Sequence, residues 1–207
     1  MSSQLSSFCA DWLGVFPHLR PYKGSRKLIL RSATIVYGIE LRKIFEDVYR
    51  PEFICLNLLS PFNEFCLRRE FTVQKNLQAD IMHRHHTRDF RLVARTIYEQ
   101  VPLLSKRTLQ PEDIVELYRA HIHHDISRLA NPIALMTSLI QQSIYFDLPD
   151  VEATERKRLA RYCDSLSLEV RHYLNGKIEE ELSQSTNQLR ENMHLNIARA
   201  GWPDAAN

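Results

Sequence analysis

Residues 25–49 read SRKLILRSATIVYGIELRKIFEDVY, and whether this stretch is helix or strand decides the fold class. Leu30, Thr34, Tyr37, Leu41, Ile44 and Val48 recur at alternating intervals of four and three, which gathers apolar side chains on one side of an α-helix. Pro51 then closes the element, because proline lacks the N–H and its ring clashes with the preceding turn. The stripe predicts one helix over 25–49. A strand over 27–37, where β-branched side chains are dense, is the minority alternative.

Working outward, residues 1–24 contain Trp12, Phe16, Pro17, Pro21 and Gly24, a mixture that predicts a short helix followed by irregular chain. Ser60-Pro61 supplies an N-cap and first-turn pair for a second helix through Phe62, Phe65, Cys66, Val73, Leu77 and Ile81. A third helix is expected over about 87–101 on Phe90, Val93, Ala94 and Ile97. Pro111 opens a fourth, and Asn131-Pro132 closes it and opens a fifth over 133–146. A sixth, over about 151–174, ends at Asn175-Gly176, and a last polar helix over 177–200 ends at Gly201. The expectation is an all-α, single-domain helical bundle of six to seven helices. It divides into an irregular segment 1–24, a helical core domain 25–175, and a C-terminal helix and tail 176–207.

Composition agrees with that class. Only 5 of 207 residues are Gly, too few for the turns of a many-stranded sandwich or barrel. Cys9, Cys55, Cys66 and Cys163 are scattered without a close pair, so neither a zinc ribbon nor a disulfide framework is indicated. No basic and apolar leader opens the chain and no window approaches a membrane span, so a soluble, cytoplasmic protein with no membrane partner is expected. Net charge is +2 but uneven: residues 1–110 carry 17 Lys/Arg against 10 Asp/Glu, and residues 111–207 carry 10 against 15. That asymmetry suggests an anionic partner for the first half, or docking of one half on the other.

Candidate chemistry lies in His86, His124-Asp125 and Asp164, since imidazole and carboxylate are the ligands of catalytic divalent metals. His86 precedes Phe90 and Val93 by four and seven residues, so it belongs to the buried stripe of the third helix. His121, His124 and Asp125 continue the face of Ile114, Leu117 and Tyr118. Antiparallel packing of neighbouring helices would bring His86 beside His124-Asp125. The structural alternative is that His121, His123 and His124 satisfy the free carbonyls at the end of the fourth helix, with Asp125 paired to Arg128 or Arg119.

The run HTRDFRLVA from His86 resembles the first His-containing helix of HD-domain phosphohydrolases, His124-Asp125-Ile126-Ser127-Arg128 resembles their HD-I-G-K signature, and Asp164-Ser165-Leu166 resembles their distal metal-binding Asp. The match covers residues 86–164, with Ser127 and Arg128 in place of Gly and Lys. The resemblance implies an all-α, metal-dependent hydrolase of nucleotides or other phosphate esters. In it His86, His124, Asp125 and Asp164 hold a divalent ion (Mn, Co, Fe, Zn or Mg), and Arg128 holds a phosphate of a small-molecule substrate. His121 or His83 would serve as an outer acid or base. Arg119 and His124 also have the spacing of the helical HEPN ribonucleases, but on different sides of the helix.

A different class of function rests on other residues. Arg84, Arg88, Arg91 and Arg95 recur at intervals of four, three and four, a basic stripe nearly opposite His86. It fits nucleic-acid phosphates, an acidic protein, or solvent. Ile178, Leu182 and Leu189 on the last helix fit a surface helix packed on the core, or a partner or homodimer contact. Together they describe a non-enzymatic helical interaction protein. Gly-rich phosphate loops and nucleophile elbows are absent from the sequence, which disfavours dinucleotide, P-loop and triad chemistry.

Overall fold

A computed structural model of the chain describes residues 2–61, 65–70, 72–74, 77–124 and 132–202. It corrects the fold class. Helix α1 (Ser2–Val15) leads through β1 (Arg20–Pro21) into β2 (Lys27–Ser32), β3 (Ile35–Phe45) and β4 (Val48–Asn57), so the stretch that decides the fold is a run of strands. Strand β2 pairs antiparallel with β3, setting Leu28 opposite Ile39 and Leu30 opposite Tyr37.

The physical reason is burial on both faces. Leu28, Ile29, Leu30, Ile35, Val36, Tyr37 and Ile39 are all buried. A strand covered on both sides is apolar throughout rather than alternately, so its period of two disappears. Among so many apolar positions a helical stripe can be drawn by chance. The density of β-branched residues was the truer signal. The turn at Ala33 takes the left-handed conformation (φ 49°), and Gly38 lies opposite Ile29 where strands approach closely. A Cβ at Gly38 would run into the Leu28 carbonyl oxygen and lie 2.8 Å from the Ile29 Cα.

The second expected helix, over about 60–81, is also corrected: the described residues there form β5 (Phe65–Glu70), β6 (Thr72–Gln74), β7 (Leu77–Gln78) and β8 (Ile81–Met82). The main sheet has six strands in the order β1-β2-β3-β4-β5, with β8 paired to β4, and β6 with β7 makes a separate two-stranded ribbon. The chain is therefore mixed, with this sheet and seven α-helices among the described residues, rather than an all-α bundle.

Helices α2 (His86–Gln100), α3 (Pro111–His124), α4 (Pro132–Tyr145), α5 (Pro149–Asp164), α6 (Leu168–Leu182) and α7 (Thr186–Ala200) follow. The expected helix over 151–174 is interrupted at Ser165, whose amide bonds the Tyr162 carbonyl, and Asn175-Gly176 falls inside α6 instead of ending a helix. Gly201 (φ 60°) follows α7, as its sequence suggests. No helix among the described residues is long and apolar enough to cross a membrane.

The chain divides into two compact units: residues 1–56, 67–109 and 201–207, and residues 57–66 and 110–200. The first holds the sheet core, with Trp12, Phe16, Tyr37, Tyr49 and Phe53 at 0% exposure; side chains of this size each contribute roughly 1.5–3 kcal/mol on burial. Charges cross its strands in a ladder: Lys27 to Glu40 (3.1 Å), Glu40 to Arg68 (2.7 Å), and Arg42 to the buried Glu52 (3.0 Å). The second unit packs α4 and α7 against Asn57 and Leu58 through buried amides: Asn57 Nδ2 donates to Gln141 Oε1 (2.8 Å), Gln142 Nε2 donates to Asn57 Oδ1 (2.7 Å), and Asn196 Nδ2 donates to the Leu58 carbonyl (2.9 Å). The first unit carries 17 Lys/Arg against 10 Asp/Glu and the second 10 against 15, so the charge asymmetry of the sequence follows this division.

Candidate functional site

Helix α2 has two faces of opposite chemistry. His86, Phe90, Val93, Ala94 and Ile97 are buried at helical spacing, which fixes how the helix turns. On the buried side His86 is bonded at both ring nitrogens. Its Nε2 lies 2.9 Å from Asp11 Oδ2 and its Nδ1 lies 2.7 Å from the Tyr49 hydroxyl, which also accepts the Trp12 indole N–H at 3.1 Å. One proton arrangement satisfies every group: Nε2–H donates to Asp11, and the Tyr49 O–H donates to Nδ1 while its oxygen accepts from Trp12. Phe8 stacks on His86 with centroids 4.0 Å apart, and Phe90 stacks at 4.9 Å. Burial pushes the Tyr49 phenol far above its ordinary pKa. The network ties α1, β4 and α2 together.

His86 is 3% exposed and Tyr49 0%, whereas the Asp11 side chain is 52% exposed, so water reaches only the carboxylate end. His83, in the short 3-10 turn before α2, adds its ring edge-on to Phe8 at 5.2 Å. The sequence pointed to His86 but to none of its partners. Trp12 and Tyr49 carry the available signal, since a buried indole and a buried phenol each require a hydrogen-bond partner.

The outer side of α2 carries the arginines. Arg84, Arg88, Arg91 and Arg95 are all exposed, and Leu92 among them is 54% exposed. Arg88 Nε lies 2.6 Å from Asp89 Oδ1, and that pairing holds the Asp89 carboxyl below the usual carboxylate range. Arg91 and Arg95, one turn apart, have no ion pair among the described residues.

The expected metal ligands are placed as follows. His86 offers no free nitrogen, so a metal would have to displace Tyr49 or Asp11 to reach it. Asp164 ends α5, 72% exposed at its side chain, with Oδ1 3.3 Å from Arg171 Nη1. Asp125 and Arg128 lie outside the described residues, as does the side chain of His124. Among the described residues no group of three or more His, Cys, Asp or Glu side chains is gathered to hold a metal ion. His121 is buried and its Nδ1–H donates to the Leu117 carbonyl at 2.7 Å, a contact back onto the preceding turn of its own helix. Arg119 is engaged with the buried Glu155 (2.9 Å), which Arg158 also meets at 2.8 Å.

No family model, curated protein or solved structure matches the chain.

Proposed function

We propose that this chain is a non-enzymatic interaction protein that engages an anionic partner through the arginine stripe of α2. The observation that supports this reading most directly is the exposed pair Arg91 and Arg95, free of ion pairs among the described residues, on a helix whose opposite face is locked in place. Like charges one turn apart destabilise a helix by about 0.2–0.5 kcal/mol, a cost that an anionic surface relieves. Seven residues from Arg88 to Arg95 span about 10 Å at 1.5 Å per residue, a length over which a rigid helix presents its charges together. The surrounding unit, with its excess of Lys and Arg, adds long-range attraction. The free thiols of Cys9, Cys55 and Cys163 suit a reducing, cytoplasmic setting.

The test is binding of labelled polyglutamate and of a short DNA duplex to wild type and to R91E/R95E. At about 50 mM salt the variant should lose tenfold or more in affinity for the preferred probe, and the difference should shrink as salt rises. Equal binding by both proteins would remove the basis of this reading.

A further inference from the structure

Resting on that reading of α2, we infer that the anionic surface it meets is a groove on a second copy of this chain. The groove has a volume of about 490 Å³ and runs beside α3, lined by the apolar side chains of Val115, Ala120, Leu148 and Val151 and by Glu112, Glu116 and Arg119. Both glutamates are exposed and neither has an ion pair among the described residues, because Arg119, the one cation of that lining, is held by Glu155.

The two surfaces match in three respects. Glu112 and Glu116 stand four residues apart on α3, and Arg91 and Arg95 stand four residues apart on α2, so each pair is separated by about one helical turn, roughly 6 Å of rise. Two helices lying side by side therefore bring both arginines against both glutamates at once. Leu92, adjacent to Arg91 and three residues before Arg95, is 54% exposed and stands beside the charges, as Val115 stands beside Glu116. It is the one exposed large hydrophobic residue on α2, and the apolar lining of the groove would receive it. Charge agrees on the larger scale, since α2 belongs to the unit rich in Lys and Arg and the groove to the unit rich in Asp and Glu.

Such a contact joins two different patches, so it is heterologous: each chain uses α2 toward one neighbour and its groove toward the other. It is also small, which puts it in the weak, transient class and calls for measurement at about 10–300 µM protein. Sedimentation velocity at about 50 mM salt should show wild type associating as concentration rises and dissociating at about 500 mM salt.

R91E/R95E and E112Q/E116K should each stay monomeric, with circular dichroism confirming that these exposed substitutions leave the fold intact. The Gln at 112 avoids placing a lysine at the N-terminus of α3. Mixing the two variants is the deciding measurement. One retains a working groove and the other a working α2, so the mixture should associate where neither variant does alone. Wild type that stays monomeric throughout overturns the inference, as does a mixture that fails to associate or association that survives E112Q/E116K. If wild type stays monomeric while R91E/R95E still weakens binding to polyglutamate or duplex DNA, the second-copy assignment falls and the α2 reading stands. If R91E/R95E changes neither measurement, both fall.

Discussion

Replacing Tyr49 with Phe removes one oxygen and leaves the ring, which makes it a direct measure of what the His86 network contributes. The hydroxyl serves Trp12 Nε1 at 3.1 Å and His86 Nδ1 at 2.7 Å, and the residues at both ends are buried. Each buried group left without a partner costs about 1–3 kcal/mol, so Y49F should destabilise the sheet-containing unit by about 2–4 kcal/mol once partial relaxation is included. For a chain of this size that lowers the melting temperature by roughly 10 °C. Urea unfolding followed by tryptophan fluorescence reports on the site directly, since Trp12 is one of only two tryptophans. Asp11→Asn supplies the control: its side chain is 52% exposed, water can replace it, and it should cost less than Y49F. The variants also separate at alkaline pH. The phenol pKa is raised in the folded chain, so its contribution is complete below the unfolded value of about 10 and is lost as pH rises toward the folded value. Wild type should therefore lose up to about 1.4 kcal/mol per pH unit in that window from this group, and Y49F should lack that slope. A Y49F cost below about 0.5 kcal/mol, or an Asp11→Asn cost larger than that of Y49F, would refute the reasoning.

Gly38→Ala should cost at least about 2 kcal/mol in urea unfolding, because the new methyl group meets the Leu28 carbonyl within a close strand pair; a change within 0.5 kcal/mol would show that β2 and β3 are not so placed. Glu181→Gln on α6 should raise stability near neutral pH, since burial raises the Glu181 pKa; the carboxyl's contribution is then complete below about pH 4.5 and lost as pH rises through its folded value. Denaturant midpoints between pH 4 and pH 7 should accordingly fall less steeply in the glutamine variant, and identical slopes would contradict that assignment.

How much of this was legible depended on the pattern each element leaves in sequence. Helix α2 was readable because only one face is buried: His86, Phe90, Val93, Ala94 and Ile97 alternate with arginines, and that contrast carries the period. Helices α3 and α4 were marked by Pro111 and Pro132 at their first positions. The sheet was not readable by period, since Leu28, Ile29 and Leu30 are all covered and a strand buried on both sides shows no alternation. Ile29, Ile35, Val36 and Ile39 all favour extended backbone, and that local preference agrees with the strands where the helical stripe does not. The scarcity of glycine misled as well, because the β2–β3 turn is made by Ala33 with positive φ rather than by Gly.

The same contrast explains why the site was half legible. Exposure of the arginines could be derived from the phase of α2 alone, because side chains at those offsets cannot reach the buried stripe. The neighbours of His86 could not, since Asp11 and Trp12 lie on α1 and Tyr49 on β4, at separations that only the sheet brings together. Histidine, aspartate and tyrosine are equally suited to metal binding, proton transfer and plain hydrogen-bond satisfaction, so residue type does not choose among them. Burial does choose. A histidine with both nitrogens engaged, stacked between Phe8 and Phe90, spends its donor and acceptor on holding α2 against α1 and β4. It thereby fixes the rotation of the helix, and so the side on which Arg91, Leu92 and Arg95 are exposed.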